Sequence, residues 1–139
     1  MVDSAMATEA MAGESGGPPC PFCGRVAVVH ANALAFSCWD IAPVSPGHLL
    51  IVTARHVPDF LAITPQEFGA IWELAQKGKE LIQRRYHPDG YNLGVNVGQA
   101  AGQTVAHAHL HLMPRYRGDV DHPRGGVRAV LPNRRAEPG

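Results

Sequence analysis

Excess charge of either sign is missing from this sequence: twelve Lys and Arg cancel twelve Asp and Glu over 139 residues. Without an overall positive field, general binding to nucleic acid or to an anionic membrane is excluded, and any bound anion must be held by a local site. Long apolar runs are missing too. Stretches such as Leu49 to Val52 are strand-sized, whereas a membrane span needs roughly 20 apolar residues, so no membrane partner is expected. Residues 1–19 contain neither Lys nor Arg and no apolar h-region, and they carry Asp3, Glu9 and Glu14, so they do not read as a secretory signal and a cytoplasmic protein is expected. Cysteine is scarce. Three residues form no even set for a disulfide framework, and Cys20 with Cys23 in C-x-x-C reads as metal ligands or a redox pair in a reducing compartment.

What is present is the balance of a soluble globular chain, with 45% apolar and 17% charged residues and a mean hydropathy of -0.09. The length suits one domain with one core. Residues 1–19, rich in Ala, Gly, Ser, Glu and Pro, read as a flexible leader. Val26 to Val29 and Leu34 to Phe36 read as paired strands around a polar break. Pro43, Pro46 and Gly47 then bend the chain, placing His48 at the junction with a strand that begins at Leu49.

Thr64-Pro65-Gln66-Glu67 combines a capping box with proline at the first helical position and starts one long helix, which His87-Pro88 stops. Its apolar residues Phe68, Ile71, Trp72, Leu74, Ala75, Leu81 and Ile82 span about half the circumference. That arc is wide enough to call for a second covering surface, and Leu74 is a candidate to face it. Two alternating strands, Tyr91 to Val97 and Thr104 to Met113, flank a glycine-rich loop and read as a hairpin. The arginine-rich end, with four prolines and no periodicity, reads as an irregular arm ordered where it packs on a partner.

His107-Ala108-His109-Leu110-His111-Leu112-Met113 is the most informative segment. On a strand, the three imidazoles share one face and the apolar residues cover the other. The outer two histidines start about 13 Å apart, so at most two of the three can share one metal ion. Three core histidines brought together by chance would each need buried polar partners. An imidazole with an ordinary pKa near 6.5 is largely neutral at pH 7 and can attack phosphorus, while neighbouring imidazoles donate hydrogen bonds or protons. The loop from Gly98 to Thr104 offers backbone N–H groups to an anion, and Gln103 and Thr104 add side-chain donors.

With that segment the sequence resembles the histidine triad family of nucleotide hydrolases and transferases, whose signature alternates three histidines with apolar residues. The likeness extends from Cys20 to Arg128 through Asp40, Pro46-Gly47-His48, Arg55-His56 and Asn96 to Arg117. It looks most like the bacterial branch related to dinucleoside polyphosphate hydrolases, given Ala101-Gly102-Gln103-Thr104 before the triad and Pro114-Arg115-Tyr116 after it. The resemblance implies that His109 is the nucleophile, and that His111 and His48 contact the phosphate oxygens and the leaving group. It also implies that Asn96, Gly102, Gln103 and Thr104 hold the phosphate and that Asp40 accepts from the ribose hydroxyls. A carboxylate suits neutral hydroxyls and would repel phosphate. By the same resemblance, Cys20, Cys23, His56 and His107 would bind a structural zinc, and no catalytic metal is required. Cys38, in an apolar run, reads as a buried inert thiol, and His30, His87 and His122 read as surface residues of turns or loops.

The expected architecture is α+β: an antiparallel sheet of about five strands with one long helix and a short helix near Pro58 to Ile63, paired as a two-fold homodimer. Residues 20–128 form the domain and 129–139 a C-terminal tail. The expected activity is hydrolysis or transfer at the α-phosphate of a purine nucleotide or dinucleotide through a nucleotidyl-histidine intermediate. The rival expectation is a nucleotide-binding scaffold with negligible turnover.

Overall fold

The strand β3 (Leu49–Thr53) is buried along its whole length, and its two faces meet different neighbours. Leu49 and Ile51 pack with Ile71, Leu74, Ala75 and Ile82 of the long helix. Leu50 and Val52, on the opposite face, pack with Cys20, Phe22, Cys23 and Phe36. Side-chain alternation therefore gives a sheet covered on one face by a helix and on the other by the segment that opens at Cys20.

The computed structural model describes residues 20–132, so the expected leader 1–19 and the end of the tail, 133–139, lie outside the described residues. The sheet comprises β1 (His30–Ala31), β2 (Ala35–Trp39), β3, β4 (Gly90–Gly94) and β5 (His109–Arg115), in the order β1-β2-β3-β5-β4 with every pair antiparallel. Five antiparallel strands match the expectation, while several boundaries differ. The first turn centres on Asn32, whose Oδ1 accepts from the N–H groups of Leu34 and Ala35, so β1 holds only His30–Ala31 and β2 runs on to Trp39. His30 is accordingly a half-buried strand residue rather than a surface turn residue.

The long helix α1 (Pro65–Tyr86) starts and stops where the sequence indicates. Thr64 Oγ1 accepts from Glu67 N–H, the Glu67 carboxylate accepts from Thr64 N–H, and His87 closes the helix in the left-handed region with φ 55°. Arg55 grips the same buried carboxylate through two bonds of 2.9 and 2.8 Å, tying the end of β3 to the helix start. The inner stripe closes tightly on β3 at Gly78, where a Cβ would lie 2.5 Å from Leu49 Cδ2. Leu74 is fully buried against the sheet and cannot face a partner, which corrects the expectation for that residue. Phe68 and Trp72 are the half-exposed members of the arc. The short helix near Pro58 is a turn at Phe60–Ala62 capped by Asp59, and Gly126–Val130, across the expected boundary of domain and tail, forms another against β4.

Candidate functional site

β5 pairs with β3 so that His109 lies opposite Val52 and His111 opposite Leu50. This register puts both imidazoles on the face away from α1, while Leu110 and Leu112 turn to the helix core. His107 lies before the strand rather than in it, because Ala108 bonds to Val57 O and to Thr53 N outside the regular ladder. The three histidines thus do not form one row: His107 turns into a separate cluster, and His109 and His111 sit 4.9 Å apart between ring centroids.

His107 donates Nε2–H to Thr53 O at 2.8 Å, which leaves its Nδ1 bare. That nitrogen lies 3.2 Å from His56 Nδ1, 3.4 Å from Cys20 Sγ and 3.5 Å from Cys23 Sγ, and Cys23 Sγ is 3.2 Å from His56 Nδ1. A tetrahedral zinc with bonds of about 2.0–2.3 Å needs ligand atoms roughly 3.3–3.8 Å apart, so these four residues fit a metal ion. The backbone-anchored second nitrogen of His107 is the orienting bond that metal-binding histidines require. Burial, and then Cys20 beside it, pushes the Cys23 thiol up to about 12, while burial pushes His107 down to about 4 against the opposing Thr53 carbonyl. A cation among them would favour the thiolates and suit neutral imidazoles. Cys38 is buried in β2 and its thiol is raised to about 11 by burial and by Asp40, as suits an inert thiol.

His109 is linked to this cluster by its own backbone. Its Nδ1–H donates to His107 O at 2.7 Å, so the neutral ring carries its lone pair on Nε2, the form in which imidazole acts as a nucleophile. Phe22, from the C-x-x-C turn, packs edge-on against both rings, with centroids 5.8 Å from His107 and 5.1 Å from His109. Sequence reasoning missed Phe22, although its place inside the cysteine motif is a readable signal.

Next to His109, His111 Nδ1 lies 3.0 Å from His48 Nε2, and Asp40 Oδ2 is 3.4 Å from the same His48 atom. His48 is buried, and its Nδ1 accepts from Val44 N–H at 3.1 Å. Burial lowers the pKa of His48 against the opposing Asp40 charge, and burial with the neighbouring His109 and His48 holds His111 down to about 4. Burial thus favours the neutral form of both imidazoles. Asp40 Oδ1 accepts from Ala42 N–H at 2.8 Å, which fixes the start of the loop to His48.

The remaining expected residues lie in the loop between β4 and β5. Gly98 and Gly102 both have positive φ, near 90°, and bracket the turn Gln99–Ala101. The Gln103 side chain accepts from Gly98 N–H and donates to Pro58 O and Val105 O. Both of its amide hydrogens are thus spent on holding the loop, as are the main-chain N–H groups of Gly98, Ala101, Gly102 and Gln103, so the loop's free donors are the N–H groups of Gln99 and Ala100 and exposed Thr104. Asn96 is half-buried at the start of that loop, beyond the end of β4.

The chain is similar to proteins of known fold and named activity. It is 35% identical over 94 residues to a bis(5'-adenosyl)-triphosphatase of Dictyostelium discoideum, covering 68% of this chain and 63% of that protein. It is 34% identical over 95 residues to an AP-4-A phosphorylase of Mycobacterium tuberculosis, covering 68% of this chain and 49% of that one. The chain thus spans between about half and two thirds of the length of these relatives. A crystal structure of a zinc-bound histidine triad family protein from Mycobacterium smegmatis matches with a TM-score of 0.62 at 30% identity, over 82% of this chain and 78% of that one. The HIT domain profile matches residues 25–118, which contain both histidine clusters apart from the cysteines, and the chain belongs to the histidine triad family.

Proposed function

We propose that the chain is a nucleotide hydrolase or transferase acting at the α-phosphate of a purine nucleotide conjugate, with His109 as nucleophile. The observation that carries this reading is the 2.7 Å bond from His109 Nδ1 to His107 O, which reserves Nε2 for attack. In the first step, the Nε2 lone pair forms a bond to the α-phosphorus and the bond to the bridging oxygen breaks. His111 donates a hydrogen bond through its Nε2–H to that leaving oxygen, which departs as a phosphate anion. In the second step, water or another acceptor attacks the same phosphorus, the P–N bond breaks to restore neutral His109, and the proton of the attacking group is released to solvent. The main-chain N–H groups of Gln99 and Ala100, in the turn that Gly102 closes, stabilise the phosphoryl oxygens with Thr104 and Asn96, while the loop they require is held by Gln103. Asp40 keeps acceptor capacity for ribose hydroxyls.

Cys20, Cys23, His56 and His107 hold zinc in this reading. The ion would supply structural cross-linking, since four protein ligands leave no open position for substrate. Thiolate ligands suit a reducing compartment such as the cytoplasm. The working unit is a homodimer built on the α1 and β4 side of the sheet.

A substrate panel tests the reading: adenosine and guanosine dinucleoside polyphosphates, phosphoramidates and nucleotidyl sulfates, with and without inorganic phosphate, on wild type and His109→Ala. Turnover in the wild type alone is expected. A nucleoside monophosphate product identifies water as acceptor, and a diphosphate formed only with added phosphate identifies phosphorolysis. Binding without turnover in either protein favours the scaffold reading.

A further inference from the structure

We infer that the main-chain N–H of Val44 fixes the proton positions of His48 and His111, which makes the loop from Asp40 to Gly47 a positioning element of the site. A main-chain amide can only donate, so His48 Nδ1, 3.1 Å from Val44 N, is unprotonated. The single N–H of the neutral ring then sits on Nε2. It points between Asp40 Oδ2 at 3.4 Å and His111 Nδ1 at 3.0 Å, and the carboxylate can only accept. His111 Nδ1 must accept as well, so the proton of neutral His111 lies on Nε2. Cationic His48 would turn a second N–H against that of Val44, and a ring only 3% exposed disfavours the cation further.

The loop is built to hold this donor. Asp40 N–H bonds to His48 O and His48 N–H to Ser45 O, so the loop closes on itself. Ser45 Oγ donates to Pro114 O at 2.7 Å and the Tyr116 hydroxyl to Pro46 O at 2.6 Å, which pins the loop to β5 and the residue after it. The Val44 side chain is 70% exposed, so its backbone is what the site uses.

Asp40, His48 and His111 also lie close enough together to suggest a metal site. The donor set does not fit one: a metal on His48 Nε2 would force the proton onto Nδ1, against Val44 N–H. Resting on the hydrolase reading, the consequence is that neighbouring histidines show opposite tautomers. His109 offers a lone pair on Nε2 to phosphorus, and His111 offers an N–H on Nε2 to the leaving oxygen. His48 has both nitrogens engaged and acts through His111 as a positioning residue.

Long-range proton–nitrogen correlation spectra of the wild-type imidazoles at neutral pH test this directly and need no substrate. His48 and His111 should each show a pyridine-type Nδ1 and a pyrrole-type Nε2, with His109 the reverse. A pyrrole-type Nδ1 on His48 overturns the inference. So does zinc bound beyond the first equivalent with loss of the His48 Nε2 proton. Val44→Pro deletes the N–H and should mix the His48 and His111 tautomers, whereas Val44→Ala keeps the donor and the wild-type pattern. With a hydrolysable substrate, folded Val44→Pro should lose roughly 100-fold in kcat with KM within about twofold. Unchanged tautomers in that folded variant overturn the inference, and if it does not fold the wild-type spectrum still decides. Absence of turnover in wild type with the expected spectrum would instead defeat the hydrolase reading alone.

Discussion

The carbonyl of His107 accepts from the Nδ1–H of His109 at 2.7 Å, while the ring of His107 points at Cys20, Cys23 and His56. One residue thus joins the metal-type cluster to the proposed nucleophile, the ring serving the first and the main chain the second. The C-x-x-C turn adds a second link, because Phe22 packs against both imidazoles.

The first prediction concerns the nucleophile. His109→Asn should bind nucleotide with near wild-type affinity and lose turnover by several orders of magnitude, as loss of a covalent catalyst does. Rapid quenching of wild type with labelled substrate should trap an acid-labile phosphoramidate on His109. A variant that keeps near wild-type turnover removes His109 from the role.

The second concerns the metal cluster. Protein purified without chelator under reducing conditions should carry about one zinc per chain, and Cys20→Ser with Cys23→Ser should abolish it. The double variant should unfold at lower temperature, since the cross-link between the opening segment, the end of β3 and His107 is lost. Metal analysis that finds no zinc in the wild type rejects the site.

Local signals made much of this legible. Thr64, Pro65 and Glu67 mark the start of α1 by short-range hydrogen bonding, and His87-Pro88 marks its stop. The alternation from His109 to Leu112 gives β5 its two faces. His107 breaks the alternation for a reason that periodicity does not carry: its ring is claimed by residues 51, 84 and 87 positions away. The burial of Leu74 was likewise hidden, because helical projection identifies an arc and not which part of it meets the sheet. The Val44 N–H is a main-chain donor, so no residue type announces it.

Glu67 gives the third prediction, on pH. Two bonds from Arg55, then the Thr64 N–H, hold its carboxyl at about 2 against an ordinary value of 4.5, with burial opposing. A depressed folded-state pKa stabilises the fold above the unfolded value, and the contribution is lost as pH falls from about 4.5 toward 2. The deficit of Glu67→Gln relative to wild type should therefore be constant from pH 6 to 8 and shrink below about pH 4.5. Denaturant unfolding at each pH measures it. A deficit independent of pH across that range would mean the charge is not what matters.

Gly78 gives the fourth. Its missing Cβ allows α1 to approach Leu49, a fully buried residue with little room to move. Gly78→Ala gains helix propensity of about 1 kcal/mol, but overpacking a core costs typically 1–3 kcal/mol, so net destabilisation is expected. Urea titration at constant m-value reads the difference, and a stabilised variant would show that Leu49 shifts freely.

The last prediction concerns assembly, and it starts from the side of the sheet that α1 does not fully cover. Trp72, Ala75 and Lys79 of the helix and Tyr91 and Leu93 of β4 line an open apolar groove. Trp72 remains 51% and Leu93 40% exposed. β4 is also a terminal strand of the sheet, with one edge free to pair. A second copy that lays its own Trp72 and Leu93 on this groove satisfies both features, as a two-fold contact uses the same patch twice. The wild type should be a dimer at micromolar concentration and Trp72→Glu should shift it toward monomer, while Leu74→Glu, within the core, should unfold the chain instead. Light scattering with circular dichroism separates the two outcomes. A monomeric wild type with full activity would reject the dimer as the working unit, and a Trp72→Glu variant that stays dimeric would place the interface elsewhere.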